Sequence, residues 1–383
     1  MATPTNVVDV TRAEQVSEVA SQLAPAREIA VDVEADSMHH FRASLCFVQL
    51  GTDTDIFLAD TLSPGVTLDP LKAMFAEPGV TKYFHAAQGD LQYLAEAGVR
   101  VRGLFDTHRA VTLLGWPKNG LADLVKEKLG ATLKKEHQQA DFSIRPLPPQ
   151  LREYIADDVR YLCEVARWVR EACATADILE EVLLDCDRMC DEATARPDLK
   201  DFEPKLQRQG LGREQLAVAW HVAQELHRRR LEWAEKADVP MGRMLSNMAL
   251  SAIAQKLPTE VKVLGRLEGV RGQVVREHAE EILQMIATVQ AEVKAGTRTL
   301  DFEKKDRDPR KKKREEALLE WRKKMALERK VQNSVVLSNA LVDALARQPP
   351  RTVDELTAVP WFGAGRVKRY GEALVALLAP LQG

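Results

Sequence analysis

The sequence predicts a mixed α/β domain followed by two copies of a small helical domain. Short apolar runs separated by turn-rich segments fill roughly the first 200 residues, a pattern typical of a sheet flanked by helices. From Pro146 onward the apolar spacing is almost wholly helical, and Pro148 and Pro149 lie where a helix can begin. Sequence markers recur within that part. A chain of 383 residues, with 45% apolar and 29% charged residues, has room for two or three globular domains.

The strand signals are short, apolar and bounded by turn residues. They are EIAVDVEAD, LCFVQLG, DIFLAD, TKYFHA and VRVRGLFD. The turn-rich GTDTD between the second and third runs predicts a hairpin, and the last two runs are each followed by a helix-like segment. Meandering strands followed by β-α units predict a mixed sheet of five or six strands flanked by helices.

The helical part contains an internal repeat. Residues 231–233 (Leu-Glu-Trp) recur at 319–321, and residues 245–247 (Leu-Ser-Asn) recur at 337–339. The offset between the copies changes from 88 to 92, which predicts that one short loop differs by four residues. We therefore predict two related helical domains.

The expected domain boundaries follow from these patterns. They are 1–205 for the α/β domain, 206–294 for the first helical domain, 295–316 for a charged linker and 317–383 for the second helical domain. The linker contains the basic run at 310–314, which suits either a solvated segment or a nucleic-acid contact. The formal net charge of −3 predicts no strong overall attraction to nucleic acid.

Targeting and redox signals are weak. The N-terminus has no basic start and no apolar core of a secretory signal, and the apolar run ALVALLAPL is about half the length of a membrane helix. We therefore expect no membrane segment and a cytoplasmic location. Cys186 and Cys190 lie one helical turn apart without a second pair of ligands, which favours buried reduced thiols over a metal site.

Acidic residues inside apolar segments are the main functional signal. In EIAVDVEAD, strand alternation places Asp32 and Glu34 on the same face, opposite Ile29, Val31 and Val33. Two such carboxylates repel each other unless a cation lies between them. This pair therefore favours metal ligation over a solvated edge strand.

Three more residues extend this acidic set. Asp90 lies in an early helical turn, where it also suits a helix N-terminus. Tyr154 and Asp158 share one helix face at spacing i, i+4, although a packed Tyr beside an exposed Asp would give the same pattern. Oxygen-only ligands suit Mg²⁺, and a pair of such ions supports phosphodiester hydrolysis. The combined set predicts metal-dependent phosphodiester chemistry.

These segments resemble the motifs of the DEDD exonucleases, with Tyr154 marking the tyrosine subclass. DFSIRPLPPQLREYIADDVRYL resembles the signature of the ribonuclease D family, and the helical repeat resembles two HRDC domains. The resemblance implies an α/β ribonuclease H-like exonuclease fold followed by two all-α HRDC domains. It also implies a 3′-5′ exoribonuclease, a hydrolase that releases nucleoside 5′-monophosphates from RNA 3′ ends. Its expected substrates are tRNA precursors and other structured RNAs.

The resemblance also assigns roles to residues. Asp32, Glu34, Asp90 and Asp158 become ligands of two divalent metal ions, Mg²⁺ or Mn²⁺, and Tyr154 orients the attacking water. We expect the protein to act as a monomer. A DNA-directed 3′-5′ exonuclease and a non-catalytic RNA-binding scaffold are the alternatives.

Further positions are candidates for contacts with the substrate. Gln49 and His85 match family positions near the substrate strand, although a core glutamine or histidine would look the same. Phe142 stands where the family often has Trp and offers a surface for base stacking. Arg145 either contacts a phosphate or pairs with an acid and holds its loop.

The helical repeat offers a second candidate RNA contact. In VPWFGAGRVKRYG, two glycines precede Arg366, Lys368 and Arg369 at the start of a helix, where a phosphate is favoured. Helix packing explains the glycines equally well. Trp233 and Trp321 lie on apolar helix faces, where core packing is the expected role.

Overall fold

The computed structural model describes residues 6–133, 137–194, 202–206, 211–300 and 308–381. Within these residues the strands form one six-stranded sheet with the order β1-β4-β3-β2-β5-β6. The strands are β1 (Asn6–Val10), β2 (Glu28–Ala35), β3 (Leu45–Gly51), β4 (Asp55–Asp60), β5 (Thr81–Phe84) and β6 (Leu104–Asp106). The central strand β2 is antiparallel to β3 and parallel to β5. The predicted mixed sheet is confirmed, and so is the hairpin between β3 and β4.

Helices accompany the sheet along the first half of the chain. They are α1 (Ala13–Leu23), α2 (Lys72–Ala76), α3 (Gln88–Glu96), α4 (Thr107–Leu114), α5 (Leu121–Leu129), α6 (Pro149–Arg160), α7 (Leu162–Thr175) and α8 (Leu179–Glu192). A short 3-10 turn, Asp69–Leu71, precedes α2. Helix α6 begins at Pro149, as the proline pair predicted. It packs on β2, β3 and β4, so its inner face meets the face of the sheet that carries Asp32.

The sheet core follows the predicted alternation. Ile29 and Val31 are fully buried on one face of β2, and Val33 is nearly so. All five cysteines of the chain are buried and free, which confirms the predicted thiols at Cys186 and Cys190. None of the helices in the described residues is both long and apolar enough to cross a membrane.

The two helical repeats have the same order of elements. The first contains α9 (Arg213–Ala237), α10 (Met241–Met244), α11 (Asn247–Lys256), α12 (Val261–Leu264) and α13 (Gly272–Lys294). The second contains α14 (Pro309–Arg329), α15 (Asn333–Val336), α16 (Asn339–Arg347), α17 (Val353–Thr357) and α18 (Ala364–Leu378), followed by a 3-10 turn, Ala379–Leu381. Each repeat has its own apolar core.

The hydrogen bonds of the repeats correct the predicted alignment. Arg230 donates to the carbonyl of Leu245 and to the side chain of Asn247. Arg322 makes the same two bonds 92 residues later, to Leu337 and Asn339. The offset is therefore already 92 in the first helix of each copy. The Leu-Glu-Trp match at offset 88 therefore aligned residues that lie one helical turn apart in the two copies. The predicted four-residue difference in a loop is not needed.

The tryptophans of the repeats pack in their helical cores. Trp233 is nearly buried and stacks on His278 with ring centroids 3.8 Å apart. Trp321 meets the Tyr370 ring edge to face at 5.4 Å. The expected packing role is thereby confirmed.

The chain divides into two compact units. One contains Met1–Ala35, Leu45–Arg196 and Lys305–Gly383, and the other contains Asp36–Ser44 and Pro197–Lys304. The second helical domain thus shares a unit with the α/β domain, which the predicted domain order did not anticipate. The predicted linker at 295–316 also needs correction, because residues 309–316 form the start of α14; its residues 301–307 lie outside the described part of the chain.

Charged groups join the second helical domain to α8 within their common unit. Glu181, which is almost completely buried, accepts hydrogen bonds from Arg329 at 2.8 Å and from Arg369 at 3.3 Å. Arg369 also donates to Asp177 at 2.6 Å. The positions 92 residues before these two arginines are Ala237 and Glu277, so the first repeat lacks this cationic pair.

Candidate active site

The acidic site is built on the end of strand β2. Asp32 and Glu34 lie on the face opposite the buried Ile29, Val31 and Val33. The pairing with β3 shifts after Glu34, and such an irregularity changes the direction of the strand. The two carboxylates therefore project together from the last regular part of β2.

Helix α6 brings the third carboxylate to this pair. The ligand oxygens of Asp32, Glu34 and Asp158 all lie within 4.8 Å of one another. Helix α6 approaches the sheet closely because Gly51 of β3 has no side chain: a Cβ there would lie 3.0 Å from the carbonyl oxygen of Val159. A glycine at this position thus permits the helix to place Asp158 over the strand acids.

Asp90 lies in the first turn of α3, outside this group of three, and close enough for its charge to raise the pKa values of Asp32 and Glu34. The turn before this helix is held by Asp106, whose carboxylate accepts the backbone N–H groups of Ala86 at 3.0 Å and Ala87 at 2.8 Å. Asp106 also caps α4 by accepting the N–H of Arg109. Sequence analysis missed this residue, although an acid followed by Thr at the end of an apolar run is a helix N-cap signal.

The acids of the site have strongly raised pKa values. Burial, followed by the neighbouring Asp32, raises the pKa of Glu34 to about 10. Burial also raises the pKa of Asp90 to about 8, with the charges of Asp106 and Asp158 adding to the effect. The pKa values of Asp32 and Asp158 rise well above their ordinary range, chiefly through burial.

These acids have the features of a divalent metal site. No lysine or arginine forms an ion pair with any of the four within the described residues. The four side chains keep some contact with solvent. The surrounding protein atoms and the mutual repulsion of the carboxylates nevertheless disfavour their charged forms. Oxygen ligands grouped in this way fit a hard divalent cation, which would compensate the repulsion.

Tyr154 lies beside the acids on the inner face of α6. Its ring packs against Phe142 with centroids 6.2 Å apart and planes inclined by 23°. Burial and the charges of Asp158, Glu34 and Asp32 hold the pKa of the phenol above its usual range. The hydroxyl therefore stays protonated and can donate a hydrogen bond.

Two candidate substrate contacts have different roles in the structure. Phe142 is 2% exposed, so it is not available for base stacking and instead supports the Tyr154 ring. Arg145 donates from Nε and from one terminal nitrogen to Asp60, both at 2.6 Å, and also bonds the carbonyl of Phe142. This arrangement favours the alternative in which Arg145 holds its loop.

Gln49 and His85 differ in their exposure. Gln49 is fully buried, which contradicts direct contact with an RNA strand. His85 is half-buried, and its Nδ1 lies 2.8 Å from the hydroxyl of Thr107. Burial lowers the pKa of His85 to about 4, so the imidazole is neutral. Its predicted contact with the substrate stays a prediction.

The arginines of the second repeat are engaged in protein contacts. Arg366 is buried and donates to the carbonyls of Val335, Val336 and Phe362, which leaves it no surface for a phosphate. Arg369 pairs with acids of the α/β domain, as described above. The predicted phosphate contact of Arg366 is corrected by these bonds. Lys368 and Arg369 are exposed, and their RNA contacts stay predictions.

Comparisons with known proteins agree with this architecture. A profile of the 3′-5′ exonuclease family matches residues 7–171, and a profile of the HRDC domain matches residues 221–286 and 311–378. Ribonuclease D of Gluconacetobacter diazotrophicus is 31% identical over 285 residues, covering 74% of this chain and 72% of that protein. Ribonuclease D of Acidiphilium cryptum is 30% identical over 281 residues, covering 73% and 71%.

Solved structures share the fold over nearly the whole chain. The crystal structure of Escherichia coli RNase D, an exoribonuclease involved in structured RNA processing, superimposes with a TM-score of 0.67 at 23% identity and covers 98% of this chain and 99% of its own. Similarity to relatives over most of both chains, together with the exonuclease and HRDC matches, shows that the protein belongs to the ribonuclease D family and is a 3′-5′ exoribonuclease.

Proposed function

We propose that the protein shortens the 3′ ends of tRNA precursors and other structured RNAs by a two-metal-ion mechanism. Asp32, Glu34, Asp90 and Asp158 would hold two divalent cations, Mg²⁺ or Mn²⁺. The observation that carries this proposal is the convergence of three carboxylates within 4.8 Å, without a neighbouring lysine or arginine in the described residues to pair with them. When bound, such cations lower the pKa of a water and stabilise charge on the phosphate oxygens.

Other residues of the site position the attacking water and the metal ligands. The Tyr154 hydroxyl donates a hydrogen bond to the attacking water and orients it toward the phosphorus of the last phosphodiester. Phe142 packs on the Tyr154 ring and limits its rotation. Asp106 holds the turn before α3 and so keeps Asp90 directed at the site. The products expected from this attack are nucleoside 5′-monophosphates.

The choice of structured RNA rests on the domain composition. The E. coli relative is an exoribonuclease involved in structured RNA processing, and this chain carries two HRDC domains after its catalytic domain. The helical domains would contact the body of the RNA while the single-stranded end enters the acidic site. Lys368 is exposed at the start of α18 and is our candidate for a phosphate contact.

A matched substrate pair tests this proposal. A 3′-extended tRNA precursor and a DNA oligonucleotide of the same sequence are incubated with Mg²⁺ or Mn²⁺, and the products are sized at single-nucleotide resolution. We expect stepwise shortening of the RNA, which EDTA stops. Asp32→Asn should abolish cleavage and leave RNA binding largely intact, because only the metal site is changed. Equal shortening of the DNA would contradict the substrate assignment.

The remaining expectations are tested separately. A monomer is expected, and the molar mass in solution measured by light scattering would check it. A cytoplasmic location stays a proposal, which cell fractionation would check.

A further inference from the structure

Gln49 has a buried side-chain amide. Among the described residues neither its Nε2 nor its Oε1 has a hydrogen-bond partner, although the residue is fully buried. Burying an amide without hydrogen bonds costs free energy, and an apolar residue of similar size would avoid this cost. A buried polar group of this kind is therefore expected to have a partner in the functional state.

The sheet register places one polar side chain beside this amide. Gln49 lies directly opposite Asp32 of β2 and opposite Leu58 of β4. Its neighbours along the same face of β3 are Phe47 and Gly51, because side chains alternate along a strand. Among these four neighbours within the sheet, only Asp32 has a polar side chain. Side chains opposite each other in an antiparallel pair have Cβ atoms about 5 Å apart, so the amide can reach the carboxylate.

We propose that Gln49 is a positioning residue whose Nε2 donates a hydrogen bond to the Asp32 carboxylate in the metal-bound protein. This inference rests on the proposed metal site. One oxygen of Asp32 would accept from Gln49, and the other would be directed at the cation. Groups that orient metal ligands in this way strengthen metal affinity. The amide is neutral, so it orients Asp32 without adding charge to the four acids.

Substitution by methionine separates this role from simple packing. Gln49→Met keeps the length of the side chain and removes the amide. We expect calorimetry to show Mn²⁺ affinity weakened by about tenfold to 100-fold. The unfolding temperature of the EDTA-treated variant should equal or exceed that of the wild-type protein, because an unpaired buried amide is removed. Gln49→Leu offers a second apolar replacement, for which the same loss of affinity is expected.

The matched control lies on the other side of Gln49. Leu58 is equally deep in the sheet, and Leu58→Met changes the packing without changing the amide. This control should keep wild-type Mn²⁺ affinity. In exonuclease assays, the Mn²⁺ concentration for half-maximal rate should rise in Gln49→Met while kcat at saturating Mn²⁺ stays close to wild type. If Gln49 had only a structural role, its replacement would not raise the Mn²⁺ concentration for half-maximal rate while leaving kcat unchanged.

The outcomes distinguish this inference from the proposed function. Wild-type Mn²⁺ affinity in Gln49→Met, or an equal loss in Leu58→Met, would overturn the positioning role and leave the metal site intact. If Asp32→Asn bound Mn²⁺ as tightly as the wild-type protein, the metal site itself would be wrong, and the role of Gln49 would fail with it.

Discussion

Replacing Gly51 by alanine should reduce catalysis by moving α6 away from the sheet. The added Cβ would lie 3.0 Å from the carbonyl oxygen of Val159, 3.1 Å from its Cβ and 3.3 Å from the Cβ of Ala30. Contacts this short require the neighbouring atoms to move by a few tenths of an ångström. Since two of these atoms belong to α6, the helix has to shift, and Asp158 and Tyr154 shift with it.

The size of the effect follows from that displacement. Overpacking of a core contact costs about 1–3 kcal/mol of stability. A 1 Å misplacement of a catalytic group reduces the rate by about 100-fold, so a shift of a few tenths of an ångström should lower kcat by about threefold to tenfold. Steady-state assays on a 3′-extended RNA and thermal unfolding measure the two quantities.

Gly242→Ala is the matched control for this prediction. Apart from its chain neighbours and the backbone of its own helix, no atom of the described residues lies within 4 Å of the position that its Cβ would occupy. The same change of residue should therefore leave both activity and stability close to wild type. If Gly51→Ala kept full activity while losing the expected stability, the close approach of α6 at Gly51 would not set the geometry of the site.

Three further predictions concern the phenol, the acids and the domain contact. Tyr154→Phe should lower kcat by about 100-fold with unchanged Mn²⁺ affinity in calorimetry, since only a water-orienting donor is lost. The pKa values of Glu34 and Asp90 are raised to about 10 and about 8, so the folded metal-free protein binds more protons than the unfolded chain and should lose stability as pH rises from about 4 through these values. The difference in Tm between Mn²⁺-loaded and EDTA-treated protein should therefore grow with pH. A difference that stays constant with pH would contradict this prediction. Arg369→Glu should increase proteolytic release of the second helical domain, because it places a like charge beside two acids of the α/β domain, whereas Lys368→Glu should not.

The catalytic strand could be predicted because alternation is a local property. Asp32 and Glu34 lie two residues apart in a strand, so their common face follows from the period of two. Strand β1 was not predicted, since its five residues, Asn6–Val10, include Asn and Asp and pair with β4, far away in the chain. Such a pairing leaves little local signal.

The roles of single arginines and aromatic residues could not be predicted, because they depend on tertiary packing. Phe142 and Arg366 have the composition expected of nucleic-acid contacts, yet both are buried. Helical periodicity also misled the alignment of the repeats. A displacement by four residues returns to nearly the same helix face, so the Leu-Glu-Trp match looked equivalent until the hydrogen bonds of Arg230 and Arg322 defined the offset.

We propose above that the four acids form the metal site at which RNA is cleaved. Anomalous diffraction from crystals of the full chain soaked in Mn²⁺ tests it most directly. Two Mn²⁺ peaks about 4 Å apart are expected, in contact with the carboxylates of Asp32, Glu34, Asp90 and Asp158. Mn²⁺ bound elsewhere, with none at these carboxylates in a preparation that degrades RNA in a Mn²⁺-dependent manner, would contradict it.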